Sequence, residues 1–382
     1  MGSASPGRAS SKEVCREPVK QFSGFFFRAS MLPSGLDAIK NGLDMNSGRV
    51  LVTGATGHLG ANLVRRLLAN GEEIRVLIRQ GPDNEALAGL GVERAYGDLR
   101  DAGAVDAAVR GCSQIYHCAA LVSTIDGNAA HKREVFETNV LGTRHILQAA
   151  ARHGVDKVVV SGSLSATGYE AGLPSHEGMP FYPFDRHLPY GFTKHLAEHE
   201  ALRAHADGLN VVVATSCAIV GPHDYKPSRF GRVLIDYAHG RLKAYIPGGF
   251  EFVSARDIAE GHVLAMRKGR SGQKYIFSTA YASVDELMSL YERVTGRPPP
   301  RLRLPAPIMA AVAEVADKTW FRLFPNRPRR FTPAAVRLLR MQRRADHGKA
   351  REELGYRPTS LAEAIQEAYE DFVRRGVISP SK

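Results

Sequence analysis

The 382-residue chain has no uncharged apolar run approaching the roughly eighteen residues that a membrane-spanning helix needs. It also has no apolar core segment of the kind found in secretory signals. Its four cysteines form no C-x-x-C pair, so we expect a reduced, cytoplasmic compartment and identify no metal-ligand set. No internal repeat is evident, so a solenoid or propeller is not indicated.

Acidic residues are scarce in one stretch. The formal net charge is +12, and residues 318–351 carry eleven Lys or Arg against one acid, Asp346. We interpret this basic stretch as a solvated helical face; the alternative is a docking surface for an acidic carrier or an anionic membrane. No recognition motif or base-stacking array accompanies the charge, so nucleic-acid binding is not expected.

Residues 1–47 do not resemble a folded domain. They mix Ser, Gly and Pro with scattered charges and contain one apolar cluster, residues 25–27. Four acidic residues argue against a transit peptide, because such segments are poor in acids. Met45 directly precedes the first predicted strand, so a translation start at that position is also open. We predict that this segment is a largely disordered or surplus extension.

A glycine-rich turn joins the first predicted strand, residues 49–53, to a helix predicted over 62–69. Glycines three residues apart allow a tight bend and a close approach of the backbone to a pyrophosphate at the helix N-terminus. A second strand-like run, residues 74–79, completes a βαβ unit, which favours dinucleotide binding over a purely structural turn. The predicted cofactor contacts here are Gly54, Thr56, Gly57, His58, Leu59 and Gly60.

The end of the second predicted strand bears on the choice of cofactor. About twenty residues past Gly60, NAD-binding folds often place an acid on the ribose hydroxyls. This chain has Arg79 there instead. A guanidinium suits a 2′-phosphate, so we predict NADP(H), with NAD as the alternative if Arg79 is an ordinary solvent-facing residue.

Small residues follow the fourth predicted strand, residues 114–117. Ala119 and Ala120 would let the backbone pass close to the cofactor, so both are predicted cofactor contacts. His117, at the end of that strand, is interpreted as a packed residue and not as a catalytic one.

Tyr190 and Lys194 lie four residues apart at the start of a predicted helix that follows Pro189. This spacing places both side chains on one helical face. An unperturbed phenol, with a pKa of about 10, is a poor acid–base group at neutral pH, and a nearby ammonium favours the phenolate. The pair therefore predicts acid–base catalysis, although Y-x-x-x-K alone occurs often by chance.

The G-x-x-G-x-x-G turn followed by Y-x-x-x-K resembles the extended branch of the short-chain dehydrogenase/reductase superfamily, over about residues 48–375. The resemblance implies an α/β fold, a Rossmann-type doubly wound parallel sheet with a smaller, mostly helical C-terminal substrate domain. The nucleotide domain would span 48–215 with 251–280 returning to it. The substrate domain would comprise 216–250 and 281–382.

The same resemblance implies roles for the reacting groups. Ser163 is the catalytic serine, with Ser161 and Ser165 as its competitors. Tyr190 exchanges a proton with the substrate, and Lys194 holds a ribose hydroxyl of the cofactor.

Three further residues take roles from the resemblance. Asn139, within Asn-Val-x-Gly-Thr, holds a helix distortion and a proton-relay water; an ordinary buried Asn is the alternative. Asp98 and Leu99 meet the adenine, although Asp98 could instead cap the helix that begins near Asp101.

The segment after the sixth predicted strand departs from the sugar-nucleotide members of this family. Those enzymes typically carry R-P-x-x-x-Y-G-P, whereas this chain has Thr215, Ser216 and Val220 at the Arg, Pro and Tyr positions. It is more similar to the dihydroflavonol-reductase-like and 3β-hydroxysteroid-dehydrogenase-like groups. Further on, we interpret Asp257 and Glu260 as a capping box that opens a helix.

We therefore expect NADPH-linked reduction of a ketone, or oxidation of the matching secondary alcohol, by a Ser-Tyr-Lys mechanism on an apolar substrate. The Pro-broken aromatic stretch 179–184 would wall the substrate side of the cleft. An NAD-dependent sugar-nucleotide epimerase or dehydratase, and a non-catalytic nucleotide-sensing scaffold, are the alternatives. As partners we expect a small molecule, hydrophobic or carrier-linked, and at most peripheral membrane contact; a homodimer is compatible with the sequence.

Overall fold

A computed structural model of the protein describes residues 48–81, 84–123, 127–182, 189–305 and 333–379. The predicted extension 1–47 lies outside these ranges. So do the first part of the basic stretch and the end of the aromatic stretch.

Twelve strands and ten helices are found in the described ranges. The strands are β1 (Arg49–Thr53), β2 (Ile74–Ile78), β3 (Glu93–Tyr96), β4 (Cys112–His117), β5 (Lys157–Ser163), β6 (Val211–Ser216), β7 (Ala218–Val220), β8 (Ala244–Tyr245), β9 (Gly249–Ser254), β10 (Lys274–Phe277), β11 (Ala280–Ser283) and β12 (Leu302–Arg303). The helices are α1 (His58–Leu68), α2 (Ala102–Val109), α3 (Ala129–Phe136), α4 (Gly142–Arg152), α5 (Pro189–Ala206), α6 (Arg229–Ala238), α7 (Ala255–Lys268), α8 (Val284–Thr295), α9 (Pro333–Met341) and α10 (Leu361–Arg374). Short 3₁₀ turns cover Glu85–Leu87 and Leu164–Ala166, and π-helical turns cover Glu137–Leu141 and Ala350–Leu354.

Seven strands form one parallel sheet, in the order β10-β6-β5-β4-β1-β2-β3. Its inner strands are runs of Val, Ile and Leu buried on both faces, as parallel sheets covered by helices require. Strand order reverses between β1 and β4, so a crevice opens at their carboxyl ends. The doubly wound parallel sheet expected from the sequence is confirmed.

Successive residues of a strand point to opposite faces, and the two faces build separate cores. Val50 and Val52 face a core that includes residues of α1 and α7. Leu51 faces the other core, which is built with α2, α4 and α5. The helices thereby fix the position of every loop at the carboxyl edge of the sheet.

The remaining elements pack into a third core. The small sheet β11-β9-β7 and the helices α6, α8 and α10 share buried apolar residues. A two-stranded parallel pair, β12-β8, forms a separate sheet, and Tyr245 of β8 packs against this core. The sequence predicted mainly helices here, and it missed both small sheets. The chain returns to the large sheet through α7 and β10.

The capping box predicted for α7 is wrong. Ser254, the last residue of β9, caps the helix by accepting a hydrogen bond from the Asp257 backbone N–H at 2.9 Å. The Asp257 carboxylate instead accepts from the hydroxyls of Thr279 and Thr359. Glu260 pairs with Arg66 of α1.

In the described ranges, we find no helix long and apolar enough to cross a membrane.

Candidate active site

The glycine turn lies at the carboxyl end of β1, in the crevice of the sheet. Gly54 has a left-handed φ of 70°, and a Cβ there would lie 2.6 Å from the Ala119 backbone nitrogen, so only glycine fits. A Cβ on Gly60 would collide with the Gly54 carbonyl. Gly57 is exposed and has no such crowding. Its missing side chain therefore leaves the turn open to a ligand.

The N-terminus of α1 has the properties of an anion site. Gly57 provides no side-chain cap, and the first turn has no acidic residue. Several backbone N–H groups are therefore left for a pyrophosphate. Leu59 is buried in the core and Thr56 is half-buried, so Leu59 can contribute through its backbone.

The His58 ring contacts a loop that is distant in the sequence. Its Nε2 lies 3.2 Å from the Gly221 carbonyl oxygen and 3.1 Å from that of Pro222. Asn62 also donates to the Pro222 carbonyl, at 2.9 Å. The helix that would receive the pyrophosphate thus holds the loop after β7, which sequence reasoning missed.

The edge of the crevice predicted to hold the adenine carries a cluster of opposite charges. Arg100 donates to the Asp98 carboxylate through Nε and Nη2, each at 2.9 Å. This bond, with a smaller contribution from exposed Arg79, lowers the pKa of Asp98. Asp101, not Asp98, caps α2 by accepting from the N–H groups of Gly103 and Ala104, so the capping alternative for Asp98 is wrong.

Leu99 and the two alanines line the same edge of the sheet. Leu99 is buried, and its carbonyl accepts from His145 at 2.8 Å. Ala119 donates its N–H to Thr53 Oγ1 at 3.3 Å, and both Ala119 and Ala120 are half-buried. These positions match the predicted cofactor path along the ends of β1, β3 and β4.

A buried hydrogen-bond network ties this edge to α4. Thr143 donates to the Asn139 carbonyl at 2.7 Å, so it accepts from His117 Nε2 at 2.9 Å. His117 Nδ1 then accepts from Thr53 Oγ1 at 2.8 Å. Burial lowers the pKa of His117 to about 3, so the ring is neutral. The interpretation of His117 as a packed residue agrees with this geometry.

Asn139 lies in the π-helical turn Glu137–Leu141, so the expected helix distortion is present. Its Oδ1 accepts from Leu121 N–H at 2.7 Å, and its Nδ2 donates to the Leu121 carbonyl and to Thr193 Oγ1, each at 3.1 Å. Thr193 donates in turn to the Tyr190 carbonyl at 3.0 Å. The buried amide therefore fixes the start of α5; the relay water remains a prediction.

Of the three candidate serines, Ser163 is the one that contacts Tyr190. It is the last residue of β5 and hydrogen bonds to the Tyr190 hydroxyl and to Ser165 Oγ, the latter at 2.8 Å. Ser161 Oγ instead lies 2.7 Å from His262 Nε2 in a buried contact. Ser161 is thus committed to the core, whereas Ser163 faces the crevice.

Lys194 is buried one helical turn after Tyr190, with 3% of its surface exposed. Its Nζ donates to the Ser161 carbonyl at 2.5 Å. Burial raises the pKa of Tyr190 and lowers that of Lys194, and the Ser163 hydrogen bond partly opposes the rise at Tyr190. Burial and Ser163 are the influences that shift the pKa of Tyr190, and the Lys194 ammonium faces the strand. The pKa-lowering effect of Lys194 on Tyr190 remains a prediction.

Residues 50–278 match the family described as "NAD dependent epimerase/dehydratase family". The chain belongs to this family. It is an NAD(P)-dependent oxidoreductase that acts on CH–OH and C=O groups.

Two curated relatives and one solved structure illustrate the likeness. "Sterol demethylase protein B" of Methylococcus capsulatus is 43% identical over 86% of this chain and 99% of its own length. "Putative dihydroflavonol 4-reductase" of Synechocystis is 30% identical over 86% and 95%. DesIV, a dTDP-glucose 4,6-dehydratase from Streptomyces venezuelae solved with NAD bound, aligns with a TM-score of 0.70 and 25% identity over 87% of this chain and 100% of its own.

These matches confirm the resemblance to the dihydroflavonol-reductase-like group, and relatives named as 3β-hydroxysteroid dehydrogenases match as well. They establish NAD-type cofactor use for the family and leave the choice between NADP and NAD to be tested.

The position of the family's Arg-Pro pair lies beside the reacting serine. Ser216 is directly opposite Ser163 in the β5–β6 register, and its side chain is half-buried. Thr215 is fully buried, and its hydroxyl has no hydrogen-bond partner in the described part of the chain. Position 215 therefore carries a short, uncharged side chain where the sugar-nucleotide members carry Arg.

Apolar side chains are exposed near the reacting groups. Val122, next to the Leu121 backbone that Asn139 holds, is 66% exposed. Tyr182 is 67% exposed, and its neighbour Phe181 stacks on His195 of α5 at 4.3 Å between ring centroids. Residues 183 and 184 of the predicted aromatic wall lie outside the described ranges.

Sequence reasoning also missed a buried ion pair behind the site. Lys274 of β10 contacts Glu198 of α5, with 2.6 Å between Nζ and Oε2. Glu198 follows Lys194 by four residues, a spacing that places it on the same helical face as Lys194 but gives no signal of Lys274.

Part of the basic stretch is used within the fold. Arg343 donates to the carbonyls of Thr167 and Gly168 at 2.7 and 2.5 Å, in the loop that follows Ser163. Lys349 donates to the Lys274 carbonyl at 3.0 Å. These cations are therefore not free for an acidic partner.

Across the described residues, no group of three or more potential metal ligands is found.

Proposed function

We propose that this enzyme transfers hydride between a nicotinamide cofactor, NADP(H) by preference, and a ketone or secondary alcohol on a bulky apolar substrate of the sterol type. The observation that carries the proposal is the contact of the Tyr190 hydroxyl with Ser163 at the carboxyl end of β5, with Lys194 one helical turn away. This arrangement supplies a proton donor, a group that polarises an oxygen, and a cation, which is what carbonyl reduction requires.

The residues of the crevice fit a dinucleotide. The open turn at Gly57 and the uncapped N-terminus of α1 would hold the pyrophosphate, and Asp98 and Leu99 would border the adenine. When bound, the nicotinamide supplies or accepts the hydride. Ser163 would then donate a hydrogen bond to the substrate oxygen while Tyr190 delivers the proton to it or removes the proton from it. Lys194 would bind a ribose hydroxyl and stabilise the phenolate.

Support for an apolar substrate comes from exposed apolar side chains, from the residue at position 215 and from one relative. Val122 and Tyr182 leave apolar surface exposed. Val122 follows Leu121, whose backbone Asn139 holds, and Tyr182 follows Phe181, which stacks on His195 of α5. Thr215 stands where sugar-nucleotide enzymes carry Arg, so the cation that those enzymes have at this position is missing here. The relative named for sterol demethylation matches over nearly its whole length, so a sterol ketone or alcohol is the substrate class to test first.

Support for NADP(H) comes from the adenosine end. Arg79 is exposed after β2 and lies close enough to Asp98 to lower its pKa. A 2′-phosphate placed beside Asp98 would therefore meet a guanidinium.

The test is a panel of substrates in which turnover is monitored by the absorbance of the reduced nicotinamide. Sterols with 3-hydroxyl groups, 3-ketosteroids, dihydroflavonols and UDP-glucose would be incubated with each nicotinamide cofactor. We expect turnover with a steroid or another apolar ketone, and none in a Tyr190→Phe control. Epimerisation of UDP-glucose without net consumption of NADPH would refute the proposal and favour the sugar-nucleotide alternative.

A further inference from the structure

Glu198 is a buried carboxylate that none of the proposed steps uses. It lies on α5, one turn after Lys194, with 5% of its surface exposed. Its Oε2 contacts Lys274 Nζ at 2.6 Å. Its Oε1 is buried and has no hydrogen-bond partner among the described residues. Burying an ionised carboxylate is costly, so this residue needs a reason beyond packing.

Strand β5 has a glycine, Gly162, where it faces the Glu198 carboxylate. A Cβ on Gly162 would lie 3.1 Å from Glu198 Oε1 and 2.5 Å from Thr215 Oγ1. Gly162 lies between Ser161, whose carbonyl accepts from Lys194, and Ser163, which contacts Tyr190. The absence of a side chain there lets the carboxylate approach the strand segment that carries the reacting groups.

The other titratable neighbours of Lys194 are uncharged at neutral pH. Burial lowers the pKa of His117 to about 3 and that of His262 to about 4, and it raises the pKa of Cys118 to about 11. Burial raises the pKa of Glu198, and its contact with Lys274 opposes that rise, so in the part of the chain that the structure describes Glu198 is the carboxylate that acts on Lys194. Burial alone lowers the pKa of Lys194, and Glu198 opposes that effect.

We propose that Glu198, held in place by Lys274, is a positioning residue that keeps Lys194 in its ammonium form beside Tyr190. This rests on the proposed function, since it concerns the same three reacting residues. The charged or titratable groups that face Glu198 are Lys194 and His199 of its own helix and Lys274 of β10, whose carbonyl Lys349 binds. Without the carboxylate, Lys194 and Lys274 would be two uncompensated cations, and the more buried Lys194 would lose its proton first.

The test follows NADPH affinity against pH, which needs no substrate. NADPH would be titrated by nicotinamide fluorescence between pH 6 and 10 in the wild-type protein, Glu198→Gln and Lys194→Met. NADPH affinity should be lost as pH rises, and we call the pH at which half of it is lost the alkaline midpoint. We expect this midpoint to be lower by about one pH unit or more in Glu198→Gln, which is the size of the effect that a nearby opposite charge has on a pKa. Lys194→Met should bind weakly at every pH. Glu200→Gln, on the same helix but paired with Arg144 at 2.6 Å, is the matched control and should keep the wild-type midpoint.

A double variant separates charge from disruption of the fold. Adding Lys274→Met to Glu198→Gln removes the second cation, so the midpoint should move back towards the wild-type value; misfolding would make the double variant worse. A wild-type midpoint in Glu198→Gln would overturn the inference while leaving the proposed function intact. Equal affinity of Lys194→Met and wild type would overturn both the inference and the proposed contact of Lys194 with the ribose. Absence of nicotinamide binding by the wild-type protein would contradict both.

Discussion

Replacement of Arg79 by Asp should reverse the choice of cofactor. In the proposed function the wild-type guanidinium binds the 2′-phosphate, and hydrogen bonds to charged groups contribute about 1.5–3 kcal/mol net. That range corresponds to roughly ten- to a hundredfold preference for NADPH over NADH, at about 1.4 kcal/mol per tenfold. Because Arg79 is exposed, solvent and salt screen the interaction, so we expect a value near tenfold.

The assay is the titration of wild type and variants with both reduced cofactors, at low and at high salt. Arg79→Asp should bind NADH more tightly than NADPH, because a carboxylate accepts hydrogen bonds from the free ribose hydroxyls and repels the phosphate. Arg100→Ala is the matched control: its guanidinium is already bonded to Asp98, so the NADPH/NADH ratio should change little. Tighter binding of NADH than NADPH by the wild-type protein would refute the reasoning.

Three further outcomes are expected. A chain starting at Met45 should fold and bind cofactor like the full chain; a large drop in melting temperature would show that the extension packs on the domain. Thr215→Val should keep or raise the melting temperature, since it removes a buried hydroxyl without a partner, worth about 1–3 kcal/mol, and a clear loss of stability would show that the hydroxyl is satisfied. Stability to urea should fall as pH drops below about 6.5, because the folded-state pKa values of His117 and His262 are depressed to about 3 and about 4 and the unfolded chain takes up protons first; an unchanged urea midpoint between pH 7.5 and 5 would contradict this.

Features with a local signature could be predicted from the sequence. The strand at residues 49–53 and the glycine turn were predictable because apolar runs and glycine spacing report burial and backbone conformation directly. Tyr190 and Lys194 were predictable because a spacing of four fixes a shared helical face. Asn139 took its role from resemblance, and the π-helical turn that contains it is present.

Features that depend on distant parts of the chain were missed. The His58 ring binds the carbonyls of residues more than 160 positions away, and the Glu198–Lys274 pair joins a helix to the edge strand. No local pattern encodes such contacts. The cap of α7 was assigned one turn too late because Ser254 also ends a strand, and the pattern of β9 concealed its capping role.

The charge states of Tyr190 and Lys194 also could not be predicted from the sequence. Spacing placed Lys194 near Tyr190, but it could not show that the ammonium donates to the Ser161 carbonyl or that both groups are buried. Burial shifts the two pKa values in opposite directions, and its extent follows from the packing of α5 on β5.

The central claim is that Tyr190 supplies the proton while hydride passes between the nicotinamide and the substrate carbon. The most direct test is single turnover with NADPH deuterated at the transferable C4 position and the ketone identified by the panel. The wild-type protein should place deuterium on the carbinol carbon. Tyr190→Phe should bind NADPH almost as tightly but transfer the label about 10²–10⁴ times more slowly, the usual contribution of general acid catalysis. Label transfer by Tyr190→Phe at the wild-type rate would contradict the account.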